Sequence, residues 1–211
     1  MMRASTAQRA DSLPRTTKHR HVRKLVSHLL LTLEGIAVFD TAVVGEIMRL
    51  RDDEVEADFS KHLADEDAML LGRATYAEWA GFWPTSTIEP FASHINSVPK
   101  YVASSTLSAV PWGCKTNASL LQGDLAIAIL KLKAVSGKNI GVHGSPTLVD
   151  ALLHANLLDE LRLEIYPVIA GTGTPFFRTG RAIKQMDLVR SKVAKNGVAI
   201  LTYRPMATSM P

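Results

Sequence analysis

The stretch NIGVHGSPTLVDALL at residues 139–153 predicts a buried strand that turns sharply into a helix. Apolar residues precede Gly144, which permits a backbone geometry or a close approach that a side chain would block. Ser145 suits the N-cap of a helix, and Pro146 suits its first position, where no amide hydrogen is needed. The free amides and the positive dipole end of such a helix start hold anions. The stretch therefore predicts a turn that binds a phosphate group.

Strands and helices alternate on both sides of this stretch. Helices are predicted at residues 52–63, 72–79, 88–98 and from Asp124 to the region of Gly137. Strands are predicted at residues 25–33, 68–71, 100–106 (ending in a turn) and 161–170, and residues 36–51 are expected to be irregular. Asn196-Gly197 predicts a hairpin that joins residues 186–195 to 198–204. The pattern favours an α/β fold with a mostly parallel sheet and antiparallel edge strands.

Length and composition set the class of protein. With 211 residues, 46% of them hydrophobic, the chain is long enough for one domain with a real core. It contains no run of about 18 apolar residues, so no membrane span is expected. The single cysteine, Cys114, excludes an internal disulfide and a cysteine-rich metal site. This cysteine usage fits a protein of the reducing cytoplasm.

The positive charge is concentrated at the N-terminus. Residues 1–24 contain seven basic residues and one acid, Asp11, so they carry a net +6 and the rest of the chain about −2. Residues 1–21 are expected to form a basic, disordered arm. A targeting peptide and a nucleic-acid-binding arm are the alternatives, although no aromatic residues interleave the basic ones. The folded domain is expected at residues 22–205, followed by a short tail at 206–211.

Two common nucleotide-binding fingerprints, Gly-x-Gly-x-x-Gly and the P-loop, are absent. The chain offers instead two strand-to-helix turns, at Gly72 and at Gly144. Arg73 adds a planar guanidinium that would suit a phosphate monoester, such as the 2′-phosphate of NADPH. Each turn taken alone also fits a plain capped helix.

Four motifs in order resemble the dihydrofolate reductase-like superfamily, and most of all its riboflavin-biosynthesis branch, the RibD C-terminal family. They are GRATY at residues 72–76, YVASS at 101–105, VHGSPTL at 142–148 and LDELRLEIYPVIAGTGTPFF at 158–177. The resemblance covers residues 22–205. It implies a three-layer fold: a mostly parallel mixed sheet, helices on both faces, and a C-terminal antiparallel hairpin.

The resemblance also implies NADPH as the cofactor and a small heterocyclic substrate, a pyrimidine or pterin, as the hydride acceptor. It places Gly144, Ser145 and the helix start at Pro146, Thr147 and Leu148 against the pyrophosphate. It places Gly72, Arg73 and Thr75 at the adenosine-side phosphates, Ser104 and Ser105 beside the adenine ribose, and Gly171, Thr172 and Gly173 near the nicotinamide and substrate. Homodimers are common in this branch, so a homodimer is expected.

Two carboxylates are candidates for the proton source. The family usually has Ser-Leu-Asp-Gly after the first strand, whereas this chain has Thr-Leu-Glu-Gly at residues 32–35, so Glu34 keeps the carboxylate on a longer side chain. A solvated strand-end acid is the alternative interpretation. Glu56 corresponds to the pocket carboxylate of dihydrofolate reductases, but most acids of its helix must face water.

The histidines do not indicate a metal. His28, His62, His94 and His154 lack metal-ligand spacing, and His143 fits a satisfied buried histidine better than a general base. The zinc deaminase signature that precedes the reductase in full riboflavin enzymes is also absent, so a stand-alone reductase-like domain without metal is expected. Two other functions stay open: an NADP-binding protein without turnover, and a nucleic-acid-associated protein that uses the basic arm.

Overall fold

The computed structural model describes residues 22–38 and 40–206. The basic arm predicted at residues 1–21 and most of the predicted C-terminal tail, residues 207–211, lie outside the described residues. The strands are β1 Leu25–Leu31, β2 Ile36–Val38, β3 Glu66–Gly72, β4 Lys100–Ala103, β5 Ala118–Leu121, β6 Asn139–Val142, β7 Glu160–Ile165, β8 Thr174–Pro175, β9 Met186–Val193 and β10 Ala199–Pro205. The helices are α1 Thr41–Arg49, α2 Asp53–Ala64, α3 Arg73–Trp79, α4 Phe91–Ser97, α5 Leu125–Ala134 and α6 Pro146–His154, with a short 3-10 helix at Trp83–Thr85.

The strands form one large mixed sheet in the order β5-β4-β3-β6-β1-β7-β10-β9. Neighbours from β5 to β7 pair in parallel, whereas β10 is antiparallel to both β7 and β9. A small antiparallel pair of β2 and β8 lies apart from it. The predicted α/β fold, with a mostly parallel sheet and a closing hairpin, is confirmed.

Helices cover both faces of the sheet and give three layers. β1 lies between β6 and β7, and its burial on both faces explains why five of the seven residues of LVSHLLL are apolar. On one face, Ile129 of α5 and Leu152 of α6 pack in a single core cluster with alternate residues of the central strands. On the other face, Val55 of α2, Tyr76 of α3 and Ile95 of α4 pack in two further clusters.

Two of the predicted helix starts, those of α2 and α5, are confirmed by their caps. The Asp52 carboxylate accepts hydrogen bonds from the N–H groups of Glu54 and Val55, and the Asp124 carboxylate accepts one from the N–H of Ile127. These bonds satisfy backbone donors that the first helical turn leaves free. None of the helices within residues 22–38 and 40–206 is long and apolar enough to cross a membrane.

The prediction of an irregular stretch at residues 36–51 is wrong, because β2 and α1 occupy it. Asp40 caps α1 by accepting a hydrogen bond from Val43 N–H. The sequence of α1, TAVVGEIMR, is rich in β-branched residues and contains Gly45, all of low helix propensity. Burial of Ile47 against the sheet stabilises a helix that its local sequence does not favour.

Two boundaries and one strand also differ from the prediction. β7 ends at Ile165 rather than at residue 170, because Pro167 has no N–H to donate to a neighbouring strand. α4 begins at Phe91 rather than at residue 88, because Pro90 disfavours helical backbone in the residue before it. β5, four residues long, was not predicted.

Candidate functional site

A cleft of about 980 Å³ opens at the carboxyl ends of β3 and β4, where α3 and α6 begin. Ligands of open α/β sheets bind at this edge, because loops and helix starts converge there. Its lining includes seven residues that the sequence predicted to bind the cofactor: Gly72, Arg73, Ser104, Ser105, Ser145, Thr147 and Leu148. The structure therefore brings three distant segments of the chain into one site.

The two strand-to-helix turns are in direct contact at the cleft. The backbone N–H of Gly72 donates to the carbonyl oxygen of Gly144 at 3.0 Å. A Cβ on Gly72 would lie 2.6 Å from Ser145 Oγ and 3.0 Å from Ser145 N, which is too close for any side chain. Glycine at position 72 therefore allows the two predicted anion-binding turns to form one continuous surface.

Three of the predicted cofactor residues support this surface from behind rather than lining the cleft. They are Thr75, Gly144 and Pro146. Gly144 has φ +132°, and a Cβ there would lie 2.7 Å from Thr75 Oγ1, so Thr75 packs against the turn. Pro146 is the first residue of α6, as predicted.

The cleft presents polar groups that a bound ligand could use. Ser145 is the N-cap residue of α6, but its side chain makes no capping hydrogen bond, so its hydroxyl is available. Arg73 is exposed, and within the part of the chain that the structure describes its guanidinium makes no ion pair or hydrogen bond. The Ser104 hydroxyl instead accepts from the N–H groups of Thr106 and Leu107, at 3.2 and 3.1 Å, and fixes the turn after β4.

Gly171, Thr172 and Gly173 do not line this cleft. They belong to the loop after β7, which contacts the turn between β1 and β2: the Glu34 carboxylate accepts hydrogen bonds from the N–H groups of Ala170 and Gly171 at 2.6 and 2.9 Å. Their place beside the nicotinamide stays a prediction.

Glu34 is an exposed carboxylate whose contacts favour the ionised form. A hydrogen bond from the Thr32 hydroxyl, and then one from the Gly171 N–H, lower the pKa of Glu34 to about 2. The side chain is therefore an anion at neutral pH and anchors the loop after β7. Its role as a proton donor stays a prediction.

Glu56 lies at the outer end of a polar network that reaches the sheet. Its carboxylate, 42% exposed, accepts from Arg51 Nε at 2.6 Å. The Arg51 guanidinium also donates to Glu164 Oε2 at 2.8 Å and to the Tyr166 hydroxyl at 3.0 Å. Burial acts to raise the pKa of Glu164, but interactions with His28 and Arg51 outweigh it and lower that pKa to about 2. The catalytic role of Glu56 also stays a prediction.

Three histidines that are far apart in the sequence lie close together beneath α2. His28 comes from β1, His62 from α2, and His143 directly precedes the Gly144 turn; we call them the buried histidine group. Their ring centroids are 5.1 to 6.0 Å apart, and one nitrogen from each ring lies within 4.8 Å of the others. Sequence reasoning missed the group, because its members are 34 and 81 positions apart and no local pattern joins them.

A carboxylate lies beside two of these rings. Glu164 Oε1 is 2.9 Å from His28 Nε2, and Glu66 Oε1 is 2.9 Å from His143 Nε2. Glu66 also contacts His94 Nε2 at 2.8 Å. Burial acts to raise the pKa of Glu66, but His143 and the other histidines around it hold the pKa well below its ordinary range. His143 is thus a hydrogen-bonded buried histidine, as expected.

Comparisons with known sequences give one matching family model and a relative of similar length. The family model of the RibD C-terminal domain matches residues 23–200. The "Uncharacterized protein YyaP" of Bacillus subtilis (strain 168) is 26% identical over 191 residues, which cover 89% of this chain and 97% of that protein.

Solved structures share the fold at lower identity. A "Putative riboflavin biosynthesis protein" from Shewanella sp. PV-4 superposes with a TM-score of 0.72 at 20% identity, over 87% of this chain and 99% of the other. The dihydrofolate reductase of Enterococcus faecalis, complexed with NADP(H), superposes with a TM-score of 0.55 at 13% identity, over 87% and 97%.

Proposed function

Since the chain belongs to the RibD C-terminal domain family, we propose that it is an NADPH-dependent reductase. In this proposal it resembles the 5-amino-6-(5-phosphoribosylamino)uracil reductases, and its substrate is a pyrimidine- or pterin-like heterocycle. When bound, NADPH would supply a hydride from the C4 of its nicotinamide. The Enterococcus faecalis reductase that shares the fold is complexed with NADP(H), which supports the choice of cofactor.

One observation carries the proposal: the two strand-to-helix turns and the exposed guanidinium of Arg73 meet in one cleft of about 980 Å³. NADPH carries a pyrophosphate and a separate 2′-phosphate, so it needs two anion sites within one ligand length. The start of α6 fits the pyrophosphate, because its first amides and dipole favour an anion. Arg73, with the neighbouring Ser105, fits the 2′-phosphate, because a guanidinium pairs with phosphate through two parallel hydrogen bonds.

The residues present fit such a cofactor in a further respect. A Cβ at Gly72 or at Gly144 would meet Ser145 or Thr75, so glycine at both positions lets the two turns pack together at the cleft. The protein would then orient the cofactor and the substrate and exclude water, rather than form covalent intermediates.

We assign the proton that accompanies the hydride to one of the two predicted carboxylates. Of the two we favour Glu56, because its contact with Arg51 joins it to a network that leads to buried Glu164 on β7. Glu56→Gln should lower turnover while leaving NADPH affinity unchanged. Asp58→Asn, on the same helix, is the comparison variant and should keep its turnover.

The test of the cofactor site is a titration with NADPH and with NADH. Arg73→Ala should weaken the binding of NADPH about 10- to 100-fold, as expected for the loss of a charge-assisted hydrogen bond worth about 1.5 to 3 kcal/mol. The binding of NADH should stay nearly unchanged. Arg49→Ala, an exposed arginine on α1 that pairs with Glu46, is the control. Equal losses for both nucleotides would remove Arg73 from the 2′-phosphate role, and no nucleotide binding at all would overturn the proposal.

A nucleotide-binding protein without turnover is the second candidate, favoured by the engagement of Glu34 in loop contacts. NADPH binding without oxidation across pterin and pyrimidine substrates would support it. In either case we propose a homodimer, because the edge strand β9 exposes apolar side chains on its surface.

A further inference from the structure

We propose that the buried histidine group, His28, His62 and His143, binds a divalent transition-metal cation of the Zn²⁺ or Co²⁺ class. Three imidazoles from three separate elements present nitrogens within 4.8 Å of one another. The side chains are 5%, 3% and 4% exposed, respectively. Imidazole nitrogens suit zinc, cobalt, nickel and copper, whereas hard cations such as Mg²⁺ prefer oxygen ligands.

The carboxylates beside two rings fix the tautomer of each ring. Glu164 and Glu66 accept hydrogen bonds from Nε2–H of His28 and His143. Because Nε2 carries the proton in each ring, Nδ1 keeps its lone pair, and within the described residues neither Nδ1 has a hydrogen-bond partner. A carboxylate behind the ring is the usual companion of a metal-binding histidine, since it fixes the ring and strengthens its basicity.

His62 gives an independent indication that a ligand belongs here. Its Nε2 is fully buried and makes no hydrogen bond. The nearest ion-pair contact is Glu66 Oε2 at 3.7 Å, on the carboxylate that His143 Nε2 also contacts, so this nitrogen lies on the side of the ring that faces Glu66 and His143. Leaving a buried polar atom unpaired destabilises the fold, and a metal bond would offset that cost.

Arg162 opposes this binding and makes the proposal specific. Its guanidinium donates to His62 Nδ1 at 2.7 Å, which leaves the His62 proton on Nε2. A metal at Nε2 therefore requires that proton to move to Nδ1 and Arg162 to turn away. Glu160 offers the guanidinium another partner, since its Oε2 is 3.7 Å from Arg162 Nη2, and Arg162 Nε itself has no partner. Arg162 should therefore weaken metal binding.

The spacing of the three nitrogens is compatible with a metal site after side-chain rotation. Zinc–nitrogen bonds of about 2.0 to 2.1 Å place tetrahedral ligand atoms about 3.4 Å apart. The three ring nitrogens lie within 4.8 Å of one another, so the rings must move closer together to bind the metal. Three nitrogens leave a fourth position for water. The carboxylates of Glu164 and Glu66, each 2.9 Å from a ring nitrogen, lie close enough to offset the added positive charge.

The test uses the full chain, treated with a chelator and titrated with Co²⁺ and then with Zn²⁺. We expect one Co²⁺ per chain with the visible absorption bands of a four-coordinate ion, and displacement of those bands by Zn²⁺. His28→Gln and His62→Gln should each weaken binding at least 100-fold, and Arg162→Gln should tighten it. His154→Gln, outside the group, and the double variant His19→Gln/His21→Gln should bind as the wild type does.

A second measurement on the wild-type protein keeps the test valid if a variant does not fold. In ¹⁵N spectra of the histidine rings, Zn²⁺ should move the nitrogen resonances of the three group members and leave those of His154, which has no contact with Glu66, in place. Absence of the cobalt bands would overturn the proposal, and so would bands that survive His62→Gln but disappear in His19→Gln/His21→Gln.

Discussion

The backbone N–H of Gly72 donates a hydrogen bond to the carbonyl oxygen of Gly144 at 3.0 Å, and this contact joins two turns that are 72 positions apart. The contact exists only because position 72 has no side chain: a Cβ would lie within 2.6 to 3.3 Å of atoms of Ser145 and Leu148. The geometry of the cleft therefore depends on the packing of these two turns.

Gly72→Ala should consequently damage both the fold and the cleft. A methyl group forced into a packed site typically lowers the free energy of unfolding by about 1 to 3 kcal/mol. Separation of the turns should weaken the binding of NADPH at least 10-fold. Unfolding in urea and NADPH titration measure the two effects. Gly45→Ala in α1, where no heavy atom lies within 4 Å of the added Cβ, is the control and should stabilise the protein by up to about 1 kcal/mol. Wild-type NADPH affinity in Gly72→Ala would contradict this account of the cleft.

These two turns were predictable because their signals are local. Gly72 and Gly144 each follow an apolar strand and precede a helix, and the order of the motifs placed both in one cleft. α1 and β5 were not predictable in this way, because β-branched residues in one and only four residues in the other leave no clear period. They owe their conformation to burial and to neighbouring strands.

Glu34→Gln should loosen the loop after β7 in a pH-dependent way. The pKa of Glu34 is lowered from 4.5 to about 2, so its carboxylate stabilises the folded state fully above pH 4.5 and loses that effect as the pH falls through 2. Hydrogen exchange of the Ala170 and Gly171 amides should be faster in the variant than in the wild type at neutral pH, and the difference should vanish near pH 2. Glu46→Gln on α1 is the control. Equal exchange at neutral pH would show that the carboxylate does not hold the loop.

The contact between Glu34 and this loop also marks a limit of sequence reasoning. The acid and its alternative interpretation were both recognisable after the first strand, but its partners, Ala170 and Gly171, are 136 and 137 positions away. The same holds for the buried histidine group and for the contact between Arg51 and Glu164. Side-chain networks between elements follow from three-dimensional packing, which cannot be predicted from the local periodicity of the sequence.

Lys100→Met should change how stability depends on pH. Lys100 is fully buried; its Nζ donates to the carbonyl oxygens of Ile95 and Val98 and lies 4.9 Å from the Trp112 ring. Burial, and then the charge of Lys115, lower the pKa of Lys100 from 10.5 to about 8.

Between pH 8 and 10.5 the unfolded chain therefore binds more protons at this lysine than the folded protein, and wild-type stability should rise with pH relative to Lys100→Met. Urea unfolding across this range measures the difference. Lys61→Met, at an exposed position of α2, should keep the wild-type rise. Parallel curves for wild type and Lys100→Met would contradict the prediction.

The edge strand β9 should mediate the proposed homodimer. It is the last strand of the sheet, and among residues 22–38 and 40–206 it pairs with β10 alone, which leaves the backbone groups of its other edge without a strand partner there. Leu188, Val189 and Val193 on it are 54%, 48% and 69% exposed, which is unusual for an edge that faces water. Natural edge strands are normally protected by charge, and a second copy of the chain would cover this one.

Val189→Lys combined with Val193→Lys should therefore convert the dimer to a monomer, because charged side chains oppose the pairing of edge strands. Sedimentation at several protein concentrations measures the change. Ile127→Lys, which places the same charge on an exposed apolar site of α5, should leave the dimer intact. A dimer that survives the double substitution would locate the interface elsewhere, and a monomeric wild type would remove the homodimer from the proposal.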